Sequence, residues 1–327
     1  MDRPTVAIVY GGMGEGSIEE TLLGAINANI VRVTNLDAPE VREADALMVT
    51  IQPVRAPLLE TLTRCQIVSR VGVGLDNIDI PAATACGIWV VNVPDYAIEE
   101  VSIHAIALTL AHMRRIPTWA AETRAGQWNG HAASTLRRPS ALTFGVLGFG
   151  RIGSATAAKA QGLAMRVIAH DPLIDPAVIT GAGVESVSWE TLLSTADYLS
   201  LHVPLTDATR TIINADALAQ MKPSAFLVNT ARGGVVDETA LLDVLTHDRL
   251  AGAALDVLTT EPPSPDHPLL RHPRVIVTSH VAWGSAEASH DVRAKGTQEV
   301  IRVLRGERPR FPANEVTEVN GLQPLAR

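Results

Sequence analysis

The sequence predicts an α/β protein of two doubly wound parallel-sheet domains, the first of them discontinuous. Three observations carry this. Short apolar, β-rich runs alternate with helical runs along most of the 327 residues, which is the pattern of βαβ units. The alternation is interrupted by a long apolar helix from about Glu99 to Ile116, closed by Pro117, and then restarts. A last long helix follows the second series, so the chain can return to its first domain. The boundaries read this way are 1–98 plus 288–327 for one domain and 99–287 for the other.

In the first series the strands are "TVAIVY", "ALMVTI", "QIVSRVG" and "IWVVNV", with helical runs "SIEETLLGAINA", "APLLETL" and "IPAATACG" between them. The polar stretch "TRAGQWNGHAASTLRRPSA" follows the long helix. The second series offers six strands, "LTFGVLG", "MRVIAHD", "YLSLHVP", "AFLVNTA", "AGAALDV" and "RVIVTSH". Six strands separated by helices make a complete doubly wound sheet. The final helix ends at Gly306, and the Pro-containing tail after it reads as irregular.

Composition fits an ordinary globular chain, with 46% hydrophobic and 19% charged residues. Aromatics are only 4%, so Ala, Val, Leu and Ile must build the core. The formal charge of −8 and the absence of a Lys/Arg block argue against nucleic acid as a partner. Two cysteines, Cys65 and Cys86, form neither a disulfide framework nor a zinc pattern, and suit a reducing cytoplasm. No metal site is expected. The N-terminal segment does not read as a signal peptide, and no apolar stretch has the length of a membrane span.

The most specific motif is "GVLGFGRIGSATAAKA", with Gly148, Gly150 and Gly153 in G-x-G-x-x-G spacing. Alone the pattern is weak; here an apolar strand precedes it and an Ala-rich helix follows. Gly148 permits the tight turn, Gly150 lets backbone approach a pyrophosphate, and Gly153 lets helix and strand pack closely. The helix N-terminus receives the negative charge. The next strand ends at Asp171, 23 residues after Gly148, where an acid accepts hydrogen bonds from a ribose diol. An acid there repels a 2′-phosphate, which predicts NAD over NADP. Two other glycine runs lack the third glycine: "GGMGEGS" has Ser17 and "GVGLDN" has Asn77 at that place. Gly72 and Gly74 still flank Val73 at a strand end. That turn is either a cradle of N–H groups for a small carboxylate or a plain strand-to-helix connection.

Ligands of open α/β sheets sit at the carboxyl ends of the strands. Those ends carry Pro204, Arg232, Asp256, Glu261 a little beyond, and His280 in "SHVAWG". Each alone reads as an ordinary surface residue; together at one end of one sheet they suit the reduction of a 2-oxo acid. An alkoxide forming at C2 needs a proton, which a histidine gives. A neighbouring carboxylate favours the imidazolium and orients it. A guanidinium binds the substrate carboxylate and polarises the carbonyl.

With these residues the chain resembles the D-isomer-specific 2-hydroxyacid dehydrogenases. The likeness runs through "RVGVGLDNIDIPAATACGIWVVNVP", "GVLGFGRIG", "LHVPLT", "VNTARGGVVDE", "ALDVLTTEPP" and "HVAWGSAEA". It implies two Rossmann-like domains with the active site in the cleft between them, the discontinuous domain binding substrate and the other binding NAD. It implies Arg232 as substrate anchor, Glu261 as partner of His280, His280 as acid/base, and Asp256 as holder of the nicotinamide carboxamide. Arg151, Ile152, Val203, Pro204, Thr230 and Ala231 join the glycines, Asp171, Arg232 and His280 as candidate cofactor contacts. Val73, Gly74, Arg70, Arg232 and Trp283 are candidate substrate contacts. A homodimer through the NAD domain is implied as well.

The sequence departs from the family at Ser279, where Pro is usual, and at Ile103, where an acid is common. Thr50 and Gln52 stand where the phosphoglycerate branch carries an Arg, and the chain is expected to lack an added regulatory domain. The His–Glu pair sets it apart from the formate branch. A phosphoglycerate-like or phosphonate-related oxidoreductase, and an NAD(H)-sensing protein resembling the C-terminal binding protein corepressors, are the alternative expectations.

Overall fold

The computed structural model describes residues 3–9, 17–128 and 130–320. The glycine run at 11–16 and the tail beyond residue 320 lie outside them. Two compact units result, one from Met1–Ala97 with Ser285–Arg327, the other Ile98–Gly284.

The first unit runs β1 (Thr5–Val9), α1 (Ser17–Gly24), β2 (Asn29–Arg32), α2 (Pro39–Arg42), β3 (Ala46–Val49), α3 (Ala56–Leu59), β4 (Ile67–Arg70), α4 (Ile80–Ala85) and β5 (Trp89–Val91). The second contains α5 (Ile98–Met113), α6 (Ile116–Arg124), β6 (Thr143–Leu147), α7 (Arg151–Gly162), β7 (Arg166–His170), α8 (Pro176–Gly181), β8 (Glu185–Ser186) and α9 (Trp189–Thr195). It continues through β9 (Tyr198–Leu201), α10 (Ala215–Gln220), β10 (Phe226–Asn229), α11 (Glu238–Thr246), β11 (Gly252–Leu255), α12 (Pro268–Arg271) and β12 (Val275–Val277). The chain then re-enters the first unit as α13 (Ala286–Leu304).

Both sheets are wholly parallel. Among the described residues the first has five strands in the order β2-β1-β3-β4-β5, the second seven in the order β12-β11-β10-β9-β6-β7-β8. In the second sheet the order reverses between β6 and β9, which is the topological switch point where a crevice opens at the strand ends. Strand alternation divides the core between two faces: Phe144 and Val146 of β6 join one apolar cluster, Leu147 the other. Such buried side chains contribute about 1.5–3 kcal/mol each.

Two strands escaped the sequence reading. β2 has an exposed–intermediate burial pattern, and β8 is two residues long. Edge strands need no continuous apolar run, so neither leaves the pattern that marks a central strand. The reading of Pro117 is corrected too. The long helix stops at Met113, Arg115 turns left-handed at φ 50°, and Pro117 lies in the first turn of a second helix. Proline's missing N–H costs nothing at that position.

The return of the chain is held by polar contacts within the first unit. Glu19 of α1 is fully buried and takes a bidentate hydrogen bond from Arg293 of α13, at 2.7 and 2.6 Å. Burial alone would raise the Glu19 carboxyl, but the Arg293 guanidinium holds it below the ordinary carboxylate range. The tail then caps the sheet edge: Ala313 N–H donates to Val90 O, and Asn314 Oδ1 accepts from Val90 N–H, both at 2.8 Å. Among the described residues no helix is long and apolar enough to cross a membrane.

Candidate active site

The glycine motif sits where β6 meets α7. Gly148 has φ +89°, and a Cβ there would lie 2.9 Å from the His202 carbonyl at the end of β9. At Gly153 a Cβ would lie 1.9 Å from Gly148 O, so only glycine allows the helix this close to the strand. At Gly150 it would meet nothing within 4 Å, and no side chain caps α7 at that residue. The first N–H groups of the helix, at Arg151, Ile152 and Gly153, therefore lack intrahelical partners. Open space before an uncapped helix N-terminus is what a pyrophosphate requires.

Asp171 follows β7 beside this loop. Its Oδ2 accepts from Phe149 N–H at 2.7 Å and its Oδ1 from Leu173 N–H at 2.9 Å. The carboxylate thus fixes the glycine loop while each oxygen keeps a further lone pair. Val203 and Pro204 follow β9 on the other side of the switch point; Val203 Cγ1 lies 2.9 Å from where a Gly148 Cβ would stand.

After β10, Asn229 shapes the next turn. Its Oδ1 accepts from Ala231 N–H at 3.0 Å, and its Nδ2 donates to Arg232 O at 2.9 Å. Thr230 is 9% exposed, and its buried hydroxyl has no protein partner. A polar atom left in that state fits a site completed by a ligand. Together with the glycine loop, it makes the second unit fit a dinucleotide. Gly233 brings the Arg232 turn against the segment after β11: a Cβ at Gly233 would lie 2.0 Å from Leu258 C.

That segment carries Glu261. Glu261 Oε1 accepts from Leu258 N–H at 2.9 Å, and Oε2 meets His280 Nδ1 at 2.6 Å. Burial would raise the Glu261 carboxyl, but the hydrogen bonds from His280 and Leu258, with the charges of His280 and Arg232, hold it below the ordinary range. The carboxylate stays ionised at neutral pH and engages Nδ1, leaving Nε2 as the ring nitrogen available for proton transfer.

His280 itself sits at φ 55°, a left-handed conformation that costs a non-glycine residue about 1–3 kcal/mol. Asp256, 1% exposed, holds it there. His280 N–H donates to Asp256 O at 2.8 Å. The Asp256 carboxylate accepts from Val281 N–H at 3.0 Å, Ala282 N–H at 2.9 Å and Thr278 Oγ1 at 2.5 Å. Thr278 in turn meets His104 Nε2 of α5 at 3.1 Å. Trp283 follows this loop, half-buried, and Ser279 before it is exposed.

The structure thus brings Arg232, Asp256, Glu261 and His280 to neighbouring strand ends of one sheet. Asn229, Thr278 and His104 organise them, and the sequence reading did not single these out. An Asn two residues before Ala231 on a strand end is a detectable turn signal; His104 lies 174 residues from its partner and leaves no local signal.

Arg70, Val73 and Gly74 belong to the first unit. Gly72 has φ +151°, and a Cβ there would fall 1.3 Å from Arg70 Nη1, so the guanidinium lies across the glycine. Gly72 O accepts from Val93 N–H at 2.9 Å and Val73 O from Asn92 Nδ2 at 2.5 Å. Both carbonyls of the turn are tied to the segment after β5. On the neighbouring strand end, Gln52 Oε1 takes both the N–H and the hydroxyl of Thr50, at 2.9 and 3.2 Å.

Residues 106–282 match the model of the D-isomer specific 2-hydroxyacid dehydrogenase NAD-binding domain. The chain belongs to the D-isomer-specific 2-hydroxyacid dehydrogenase family. As a member of that family it is 40% identical over 285 residues to a D-3-phosphoglycerate dehydrogenase of Mycobacterium bovis, covering 85% of this chain and 54% of that protein. The chain therefore spans about half the length of the curated relatives it matches. Among solved structures, an NADPH-dependent glyoxylate/hydroxypyruvate reductase from Sinorhizobium meliloti, in complex with NADP and malonate, aligns at TM-score 0.85 and 28% identity. It covers 97% of this chain and 99% of that one. A D-lactate dehydrogenase from Aquifex aeolicus complexed with NAD and lactic acid aligns at TM-score 0.84 and 26% identity, covering 92% and 96%. Within the family fold, the second unit is the NAD-binding domain.

Proposed function

We propose that this chain is an NAD-dependent D-2-hydroxyacid dehydrogenase that interconverts a small 2-oxo acid and its D-2-hydroxy acid. The observation that carries the reading is the 2.6 Å His280–Glu261 pair held at a strand end of the NAD-binding unit, with the Arg232 charge bearing on it. When bound, the nicotinamide supplies or takes a hydride at substrate C2. Arg232 anchors the substrate carboxylate and polarises the C2 carbonyl. As the C2–H bond forms, charge gathers on the carbonyl oxygen, and His280 Nε2 gives its proton there. In the reverse direction Nε2 takes the hydroxyl proton. Glu261 stabilises the imidazolium and keeps the ring aimed.

Several finer assignments belong to the same reading. Asp171 accepts the adenosine ribose hydroxyls and selects NAD over NADP. Val73 and Gly74 offer N–H groups to the substrate carboxylate, and Arg70 faces any distal anionic group. Asp256 reaches the nicotinamide carboxamide through the lone pair its loop contacts leave, and Trp283 walls the site. A second copy of this chain covers α6, which has no buried residue and exposes Ile116 at 56%, next to α5 with Ile103 at 50%. The cysteine content supports a cytoplasmic setting.

Likeness to phosphoglycerate dehydrogenases favours a phosphorylated substrate. Against it, Thr50 and Gln52 satisfy each other and Ile51 between them is 69% exposed. A panel of 2-oxo acids with NADH and NADPH tests the reading. Turnover of glyoxylate or hydroxypyruvate above 3-phosphohydroxypyruvate, with NADH preferred, is expected. Absence of turnover with every acid, alongside tight NADH binding, would instead favour an NAD(H)-sensing protein.

A further inference from the structure

We infer that His104, on α5, is a positioning residue for the acid/base centre, acting through Thr278 and Asp256. The inference rests on the dehydrogenase reading for what the centre does, but on geometry for how it is held.

The direction of the hydrogen bonds can be worked out from the groups. The Asp256 carboxylate already accepts main-chain N–H from Val281 and Ala282. At 2.5 Å from Asp256 Oδ1, the Thr278 hydroxyl is the donor of that pair. A hydroxyl has one proton, so Thr278 Oγ1 is the acceptor toward His104 Nε2 at 3.1 Å. His104 therefore carries a proton on Nε2, a tautomer assigned from the network. The chain of donors runs from the His104 ring to the Thr278 hydroxyl, to the Asp256 carboxylate.

What Asp256 holds explains why this matters. Its carboxylate binds the two N–H groups just after His280, and its carbonyl binds the His280 N–H at 2.8 Å. These contacts brace the φ of 55° at His280. Asp256 is 1% exposed, so a contact its carboxylate loses from the Thr278 hydroxyl is not made up by water. His104 also stands 3.7 Å from Asp256 Oδ1 itself. Removing it leaves Thr278 Oγ1 without its donor and free to turn from Asp256. Residues 280–282 then relax, and His280 Nδ1 loses its register on Glu261.

The test compares His104→Leu, His104→Gln and Thr278→Val with wild type. Gln can place an N–H near the position of the imidazole Nε2–H; Leu fills space but donates nothing. We expect kcat for the best 2-oxo acid to fall about tenfold in His104→Leu, with the Kd of NADH within about twofold. His104→Gln restores most of the loss. In His104→Leu plus Thr278→Val the losses do not add, because both break one chain. Independently of turnover, the downfield proton resonance of the His280–Glu261 hydrogen bond disappears in His104→Leu and returns in His104→Gln. Unchanged kcat and resonance in His104→Leu would overturn the inference. So would a loss that Gln fails to rescue and that tracks a lowered Tm, which would mark a packing role only. Should wild type reduce no 2-oxo acid, the dehydrogenase reading fails, and the resonance still decides the positioning role.

Discussion

Glu261 shows how a single residue reads differently with its neighbours in view. In isolation it is an acid before a proline, and half-exposed acids of that kind are ordinary surface groups. Its carboxyl is nevertheless held low by His280, Leu258 N–H and Arg232 against the pull of burial. A depressed carboxyl gives stabilisation that is complete above the ordinary carboxylate range and lost only as pH falls through the lowered value. The pair therefore persists in mildly acidic solution. Glu261→Gln removes the anion that favours the imidazolium. The alkaline limb of 2-oxo acid reduction should then move to lower pH, with activity at pH 7 reduced about tenfold. A pH–rate profile that does not move would show that the contact has no catalytic consequence. The motif residues at this scale were legible because their spacing is local: Gly148, Gly150, Gly153 and Asp171 lie within one βαβ unit. The sequence marks Asp256 only as a cofactor contact, whereas the structure also gives it three donors from the segment after β12. Its partners His104 and Thr278 meet by folding alone.

At the scale of elements, close approaches make the site. Gly153 lets α7 sit against the β6 turn, and the contact distance leaves no room for a side chain. Gly153→Val should abolish NADH binding, measured by fluorescence titration, and lower Tm by several degrees through overpacking. In the first unit, the Glu19–Arg293 pair joins the first and last helices. Arg293→Met would leave the buried Glu19 carboxylate with only the looser Arg32 contact at 3.7 Å, at a cost of up to about 3–5 kcal/mol, visible as a shift in the urea midpoint. Restoration by Glu19→Leu in the same chain would show that the unpaired charge, and not lost packing, is responsible. The central strands were legible as apolar runs bounded by turn residues. β2, β8 and the break at Arg115 were not. Edge strands carry little apolar signal, and a left-handed residue between two helices has no compositional mark when it is Arg.

For the whole molecule, the two parallel sheets and the return of the chain followed from the order of apolar runs, since parallel strands demand crossovers. The side-chain networks that pin those sheets could not be read that way. Acid sensitivity is one consequence. His112 stacks on Phe226 and meets Tyr198 OH, and desolvation pushes its imidazole down to about 4. His202, below the Gly148 turn, is pushed to about 3 in the same way. Each protonates first in the unfolded chain, so stability is full above the ordinary histidine range. It falls as pH drops from about 6.5, at up to ~1.4 kcal/mol per pH unit per site. His112→Phe should flatten that fall, as followed by Tm between mildly acidic and neutral pH. The central claim is that one histidine at the end of the last strand moves the proton in a hydride-transfer reaction. The most direct measurement is steady-state reduction of the preferred 2-oxo acid by NADH in wild type and His280→Gln, with NADH affinity measured alongside. The account predicts a fall in kcat of about a hundredfold to ten-thousandfold, with NADH binding largely intact; turnover in His280→Gln equal to wild type would contradict it.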